Sequence, residues 1–155
     1  MAALLPARDP LAQPLLFESL AGAGGFIDIT QNATKVCYCG TFTAKGLRTK
    51  CEDGKLVITQ EGGKKKFVNQ VEHITFSGIY ANKVHQPVLY ITERAVFELR
   101  PEGVTLIEIA PGIDLQTQIL DQMEFEPKIA YQEDGTIKLM DSRIFRDETM
   151  GLAND

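Results

Sequence analysis

Cysteine and histidine are scarce: the 155 residues include three cysteines and two histidines. An odd and small cysteine count excludes a disulfide-stapled scaffold. Cys37 and Cys39 stand two apart in VCYC, a spacing that in a strand turns both thiols to one face. A metal centre would need two further ligands, and only Cys51, His73 and His85 are on offer, so no metal site is expected and the pair is read as reduced core cysteine. The histidines sit in unrelated contexts and there is no G-x-S-x-G elbow. The chain therefore lacks the oriented base that a serine or cysteine nucleophile requires. Positive charge is in deficit: 16 Lys and Arg against 21 Asp and Glu give a net charge of −5 and a pI of about 5.1. That balance gives no electrostatic case for nucleic acid or an anionic membrane as partner. No apolar run approaches the roughly 20 residues of a membrane-spanning helix. Arg8, Asp9, Pro6, Pro10 and Pro14 break up the N-terminal apolar residues, so no signal peptide is read there. The expected location is the cytoplasm.

What remains is the composition of a globular domain, 44% hydrophobic and 24% charged, with length enough for one sizeable core. Residues 1–18 are Pro- and Ala-rich without stable periodicity and are set apart as a divergent N-terminus, leaving 19–155 as the domain. The stretch LAGAGGFIDITQNA (20–33) crowds Gly22, Ala23, Gly24 and Gly25 ahead of an amphipathic run. A helix is expected from Phe26, with Phe26, Ile29 and Ala33 near one face. Bare amides next to a positive helix end can hold a phosphate or a developing oxyanion. On the glycines alone, a plain tight turn serves equally well.

The next run, KVCYCGTFT, reads as a buried strand. LRTKCEDGKLVITQEGG places two alternating segments around Asp53-Gly54, the dipeptide of a type I′ hairpin. VEHITF (71–76) reads as a strand. VLYITERAVFEL reads as two strands meeting near Glu93-Arg94, the second pairing with 104–109. Asp114 suits the N-cap of a helix over LQTQILDQM, with Ile119, Leu120 and Met123 as its apolar face. GGKKKF (62–67) matches no phosphate loop and reads as a solvated hairpin end. The acids Asp28, Glu72, Glu93, Glu108 and Asp114 read as solvated or capping groups. A short apolar patch follows in the tail before polar residues. Strands outnumber the helices available to cover them, which suggests part of a larger α/β assembly.

Several ordered blocks resemble the C-terminal part of the family I CoA-transferases, closest to the short-chain acyl-CoA:acetate, propionate and 3-ketoacid enzymes. They are LAGAGGFIDITQNA (20–33), VCYCGTFTAKGL (36–47), DGKLVITQEGGKKKFVNQVEHITFSG (53–78), LYITERAVFELRPEGVTLIEIAPGIDL (89–115) and LMDSRIFRDETMGL (139–152). The resemblance implies an α/β fold, the C-terminal part of an open CoA-transferase half with a mixed sheet and hairpins. It also implies transfer of CoA between short-chain acyl-CoA and carboxylic acids, with CoA as substrate and no cofactor. In such enzymes a glutamate attacks the thioester and forms an acyl-glutamyl anhydride. The anhydride becomes a glutamyl-CoA thioester, which a second acid resolves. The glycine loop matches Gly22, Ala23, Gly24 and Gly25, whose backbone would line the CoA thioester. The nucleophile's Ser/Thr-Glu-x-Gly motif has no counterpart here, and Glu18 stands in the wrong context for it. No catalytic residue is therefore assigned. The implied partners are the missing N-terminal half or a second copy of the chain. The alternatives are a non-catalytic acyl-CoA-binding module or an inactive structural fragment.

Overall fold

Asp53 and Gly54 fold as their chemistry demands, with φ of 50° and 75°. Two successive positive φ values are the signature of the type I′ turn, whose twist matches that of the strands it joins. Around it β3 (Arg48–Glu52) pairs antiparallel with β4 (Lys55–Gln60). The computed structural model describes residues 23–71 and 74–150. The divergent segment 1–18, Glu18, Gly22, Glu72, His73 and the last five residues lie outside them.

The centre of the molecule is a five-stranded mixed sheet. Its members are β1 (Val36–Cys39), β6 (Val88–Ile91), β7 (Ala95–Arg100), β8 (Gly103–Ile109) and β9 (Lys128–Ile129), in the order β1-β6-β7-β8-β9. β1 runs parallel to β6 and β9 parallel to β8, while β6-β7 and β7-β8 are antiparallel hairpins. The two strands foreseen in VLYITERAVFEL and the pairing of the second with 104–109 are both present. Mixed α/β with a mixed sheet and hairpins is thus the fold class, as the resemblance implies.

Alternation sets which face is buried. Val88, Tyr90, Ala95, Phe97 and Leu99 point inward while Leu89, Ile91, Val96 and Glu98 remain half-exposed. α1 (Ala23–Asn32) and α2 (Gly78–Lys83) lie against the inner face. Phe26 of α1 stacks on Tyr38 at 6.0 Å, and Ala81 of α2 is fully buried. Phe42, Phe67 and Phe97 form the second half of the core, with neighbouring centroids 4.7 and 5.0 Å apart.

Several readings change. α1 already includes Ala23, Gly24 and Gly25, and its inward face is Phe26, Thr30 and Ala33; Ile29 is 72% exposed. Residues 74–77 are not a strand, because the backbone there turns into Ser77, whose side chain caps α2 by accepting Tyr80 N–H at 3.1 Å. Lys64–Lys65 is not a free hairpin end but β5, paired with β2 (Thr43–Ala44). The Lys65 ammonium donates to the Asp121 and Met123 carbonyls at 2.6 and 3.3 Å. Cys37 and Cys39 are exposed and free on β1, an edge strand of the sheet.

Asp114 does cap its helix, accepting Thr117 N–H at 2.7 Å. That helix, however, divides at Ile119 into α3 (Leu115–Gln118) and a 3-10 turn over Leu120–Gln122. Ile119 and Met123 are buried as foreseen. Among the described residues, no helix is long and apolar enough to cross a membrane.

Candidate functional site

α1 precedes β1 by only three residues, 33–35, so helix and strand run back to back. Late helix residues meet the start of the parallel pair: the Gln86 side-chain amide, two residues before β6, donates to the Thr30 and Ala33 carbonyls at 2.7 and 2.6 Å. Early helix residues meet the other end, where Phe26 stacks on Tyr38. The glycine turn therefore lies toward the carboxyl ends of β1 and β6. Open α/β sheets collect their ligands at that edge.

Two further contacts fix the helix. The Thr30 hydroxyl donates to the Phe26 carbonyl at 2.8 Å, and the Gln31 side-chain carbonyl accepts Ser77 N–H at 3.1 Å. Tyr38 is held between Phe26 and Tyr90, its ring 5.4 Å from the latter. Burial pushes the Tyr38 hydroxyl well above its ordinary range, so it stays neutral. Against this anchored body Gly24 and Gly25 are exposed, and a methyl group added at either would meet nothing within 4 Å. Neither has a positive φ. In the described residues nothing in the packing or the backbone requires glycine at these two positions, although each costs the helix about 1 kcal/mol relative to alanine. The first-turn amides have no carbonyl one turn earlier to donate to and sit at the positive end of the helix.

The loops leaving the same carboxyl edge build a charge cluster that no motif in the sequence announces. Arg94 is fully buried. Its guanidinium forks onto both Glu61 oxygens at 2.6 and 3.0 Å, and its Nε donates to Glu93 at 2.7 Å. It also donates to the Gln118 carbonyl at 3.0 Å and stacks over Phe42 at 5.0 Å. Glu93 accepts Phe42 N–H at 2.8 Å through its other oxygen, and Glu61 accepts the Thr43 hydroxyl and Gly62 N–H. Burial alone would raise the Glu61 carboxyl, but the bonds from Arg94, Thr43 and Gly62 outweigh it and hold the group below its ordinary 4.5. Every oxygen of both carboxylates is engaged, so neither is free to attack a substrate. The cluster is a joint tying residues 42–43, 61–62, 92–94 and 118 together. Its one legible sign is an arginine inside an otherwise apolar strand run, which must find partners when buried.

The remaining acids fall elsewhere. Glu108 pairs with Lys138 at 2.5 Å, Asp28 is exposed on α1, and Asp114 is the cap already described. Of the four residues read as a CoA wall, Ala23, Gly24 and Gly25 share one helical turn and Gly22 lies outside the described residues. No group of three or more His, Cys, Asp or Glu side chains comes together as a metal site among the described residues.

No protein-family model matches the sequence. The chain is 52% identical to acetate CoA-transferase YdiF of Escherichia coli (strain K12) over 133 residues, 86% of this chain and 24% of that protein. It is 50% identical to the caffeate CoA-transferase of Acetobacterium woodii over 139 residues, 90% of this chain and 26% of that protein. Its fold superposes on the apoenzyme of YdiF, an acyl-CoA transferase from Escherichia coli, with a TM-score of 0.83 at 47% identity. The thioester complex of the O157:H7 YdiF with CoA gives a TM-score of 0.81. Each superposition covers 94% of this chain and 28% of the other. The chain thus spans about a quarter of the relatives it matches.

Proposed function

From its homology to the C-terminal portion of the family I CoA-transferases, we propose that this chain is part of an enzyme moving CoA between short-chain acyl-CoA and carboxylic acids. The glutamate nucleophile comes from outside the chain. Its carboxylate attacks the acyl-CoA carbonyl, the CoA thiolate leaves, and an acyl-glutamyl anhydride forms. The thiolate then attacks the glutamyl carbonyl, releasing the first carboxylic acid and leaving a glutamyl-CoA thioester. A second carboxylate reverses these steps and departs as the new acyl-CoA. The relatives named for acetate and caffeate both carry the name of a carboxylic acid, which supports a carboxylic acid as CoA acceptor, the short chain resting on the sequence resemblance alone.

Gly22, Ala23, Gly24 and Gly25 supply the backbone wall of the thioester site. One observation carries this reading: Gly24 and Gly25 are open, exposed and unexplained by packing, at a helix start on the carboxyl edge of the parallel strands. Each thioester carbonyl gains negative charge when attacked, and side-chain-free amides at a positive helix end can approach that oxygen closely.

The test is a paired measurement on the purified chain. It should show no transfer of CoA from acetyl-CoA to propionate by itself, yet CoA should raise its melting temperature. Gly24→Val should abolish that shift while folding normally, since the new side chain starts in open space. Turnover by the chain alone, or a CoA shift that survives Gly24→Val, would overturn the reading. No shift in the parent chain would instead mark an inactive structural fragment.

A further inference from the structure

The face of the sheet turned away from α1 carries a chemistry that the transferase reading does not use. In β1, Cys37 and Cys39 project to the same side, both exposed and both free. The parallel register sets Leu89 beside Cys37 and Ile91 beside Cys39. β1 is the edge strand of its sheet, so the pair is flanked by apolar side chains on one side and open on the other.

We infer that Cys37 and Cys39 form a two-thiolate seat for a soft monovalent cation, copper(I). Alternate residues of an extended strand lie about 6.6 Å apart, too far for an unstrained disulfide, whose Cβ atoms must approach within about 4.5 Å. A bridging ion relaxes that requirement. With metal–thiolate bonds of about 2.3 Å, two sulfurs across one ion sit up to about 4.6 Å apart. Two cysteine side chains leaning toward each other reach that separation without bending the strand.

The surroundings decide the metal. On the same face Glu98 lies one strand beyond Leu89 and is ion-paired with Arg100 at 2.7 Å. No third ligand from the described residues reaches the pair. Zinc, which takes four ligands, and the hard cations, which take oxygen, are poorly served there. Thiolates without hard ligands favour copper(I). Each thiol gives up its proton to solvent as the Cu–S bond forms, and no electron is transferred.

The experiment is an anaerobic titration of the reduced, purified chain with copper(I) held by the chromophoric chelator bicinchoninate. One copper(I) per chain should leave the chelator. Cys37→Ser or Cys39→Ser should each weaken binding roughly a hundredfold or more, because the second thiolate acts at high effective concentration only while the first is present. Cys51→Ser, on the remote hairpin, should bind as the parent does. Melting curves of the three variants check that each folds. If the parent withdraws no copper, the seat does not exist. Uptake of half an equivalent with chain dimerisation, or equal weakening in Cys51→Ser, would also overturn it.

Discussion

Arg94 carries its charge into a place water does not reach, and its partners make that tolerable. Two carboxylates, one carbonyl and an aromatic face surround the guanidinium. Removing one partner of a buried pair costs more than forming the pair gains, because the other charge is left without compensation. Glu61→Gln should therefore destabilise the fold by about 3 kcal/mol at neutral pH, at the low end of the range for buried pairs because Glu61 is 29% exposed. The pH dependence separates charge from shape. Glu61 titrates below its ordinary 4.5 in the folded state, so its ionic contribution is complete above that value and is lost as pH falls through the depressed one. The stability gap between parent and Glu61→Gln, followed by urea unfolding, should be constant from pH 7 to pH 5 and shrink below 4.5. A gap of unchanged size in acid would mean that packing, not charge, makes the difference.

Elements whose signals are local were legible in advance. The β3–β4 hairpin followed from two alternating segments and Asp53-Gly54, and the β6–β7–β8 meander from apolar alternation broken at Glu93-Arg94 and the pairing of the second strand with 104–109. The Asp114 cap was equally plain. Elements set by distant partners were not legible. α2 exists because Ser77 caps it and Ala81 buries against the sheet, and residues 74–76 give up strand geometry to reach it. The glycines at 24–25 join α1 although propensity argues against them. Arg94 could be suspected from its neighbours, but Glu61, 33 residues away, could not. The hairpin turn offers the sharpest test at this scale. Gly54 has φ of 75°, and an added Cβ would lie 3.2 Å from Arg146 Nε and 3.3 Å from the Ser142 carbonyl. Gly54→Ala should cost about 1–2 kcal/mol in thermal unfolding. A neutral result would show that the turn can change type without loosening the 142–146 segment.

At the scale of the whole molecule, the helical side of the sheet is the unfinished surface. Six of the nine large hydrophobic side chains exposed among the described residues belong to this layer: Ile27, Ile29, Ile74, Ile79, Tyr80 and Val84. Association is therefore expected through the helices, while the opposite face of the sheet presents half-buried Leu89, Ile91 and Val96. α1 and α2 are joined directly through Gln31 and Ser77, which brings these residues onto neighbouring elements. A soluble protein rarely leaves such apolar surface to water unless something covers it. The relatives are about four times as long as this stretch, so they have chain beyond the matched part that is available for that role. The isolated chain should associate in a concentration-dependent way, seen by light scattering as a mass rising from 17.2 kDa over the micromolar range. Ile79→Lys should shift that rise to higher concentration, because a charge cannot enter the contact without losing its hydration. It should leave the melting temperature of the monomer unchanged, since Ile79 is already 42% exposed. A chain that stays monomeric, or an association that ignores Ile79→Lys but responds to Val96→Lys, would place the sticky surface on the open face of the sheet instead.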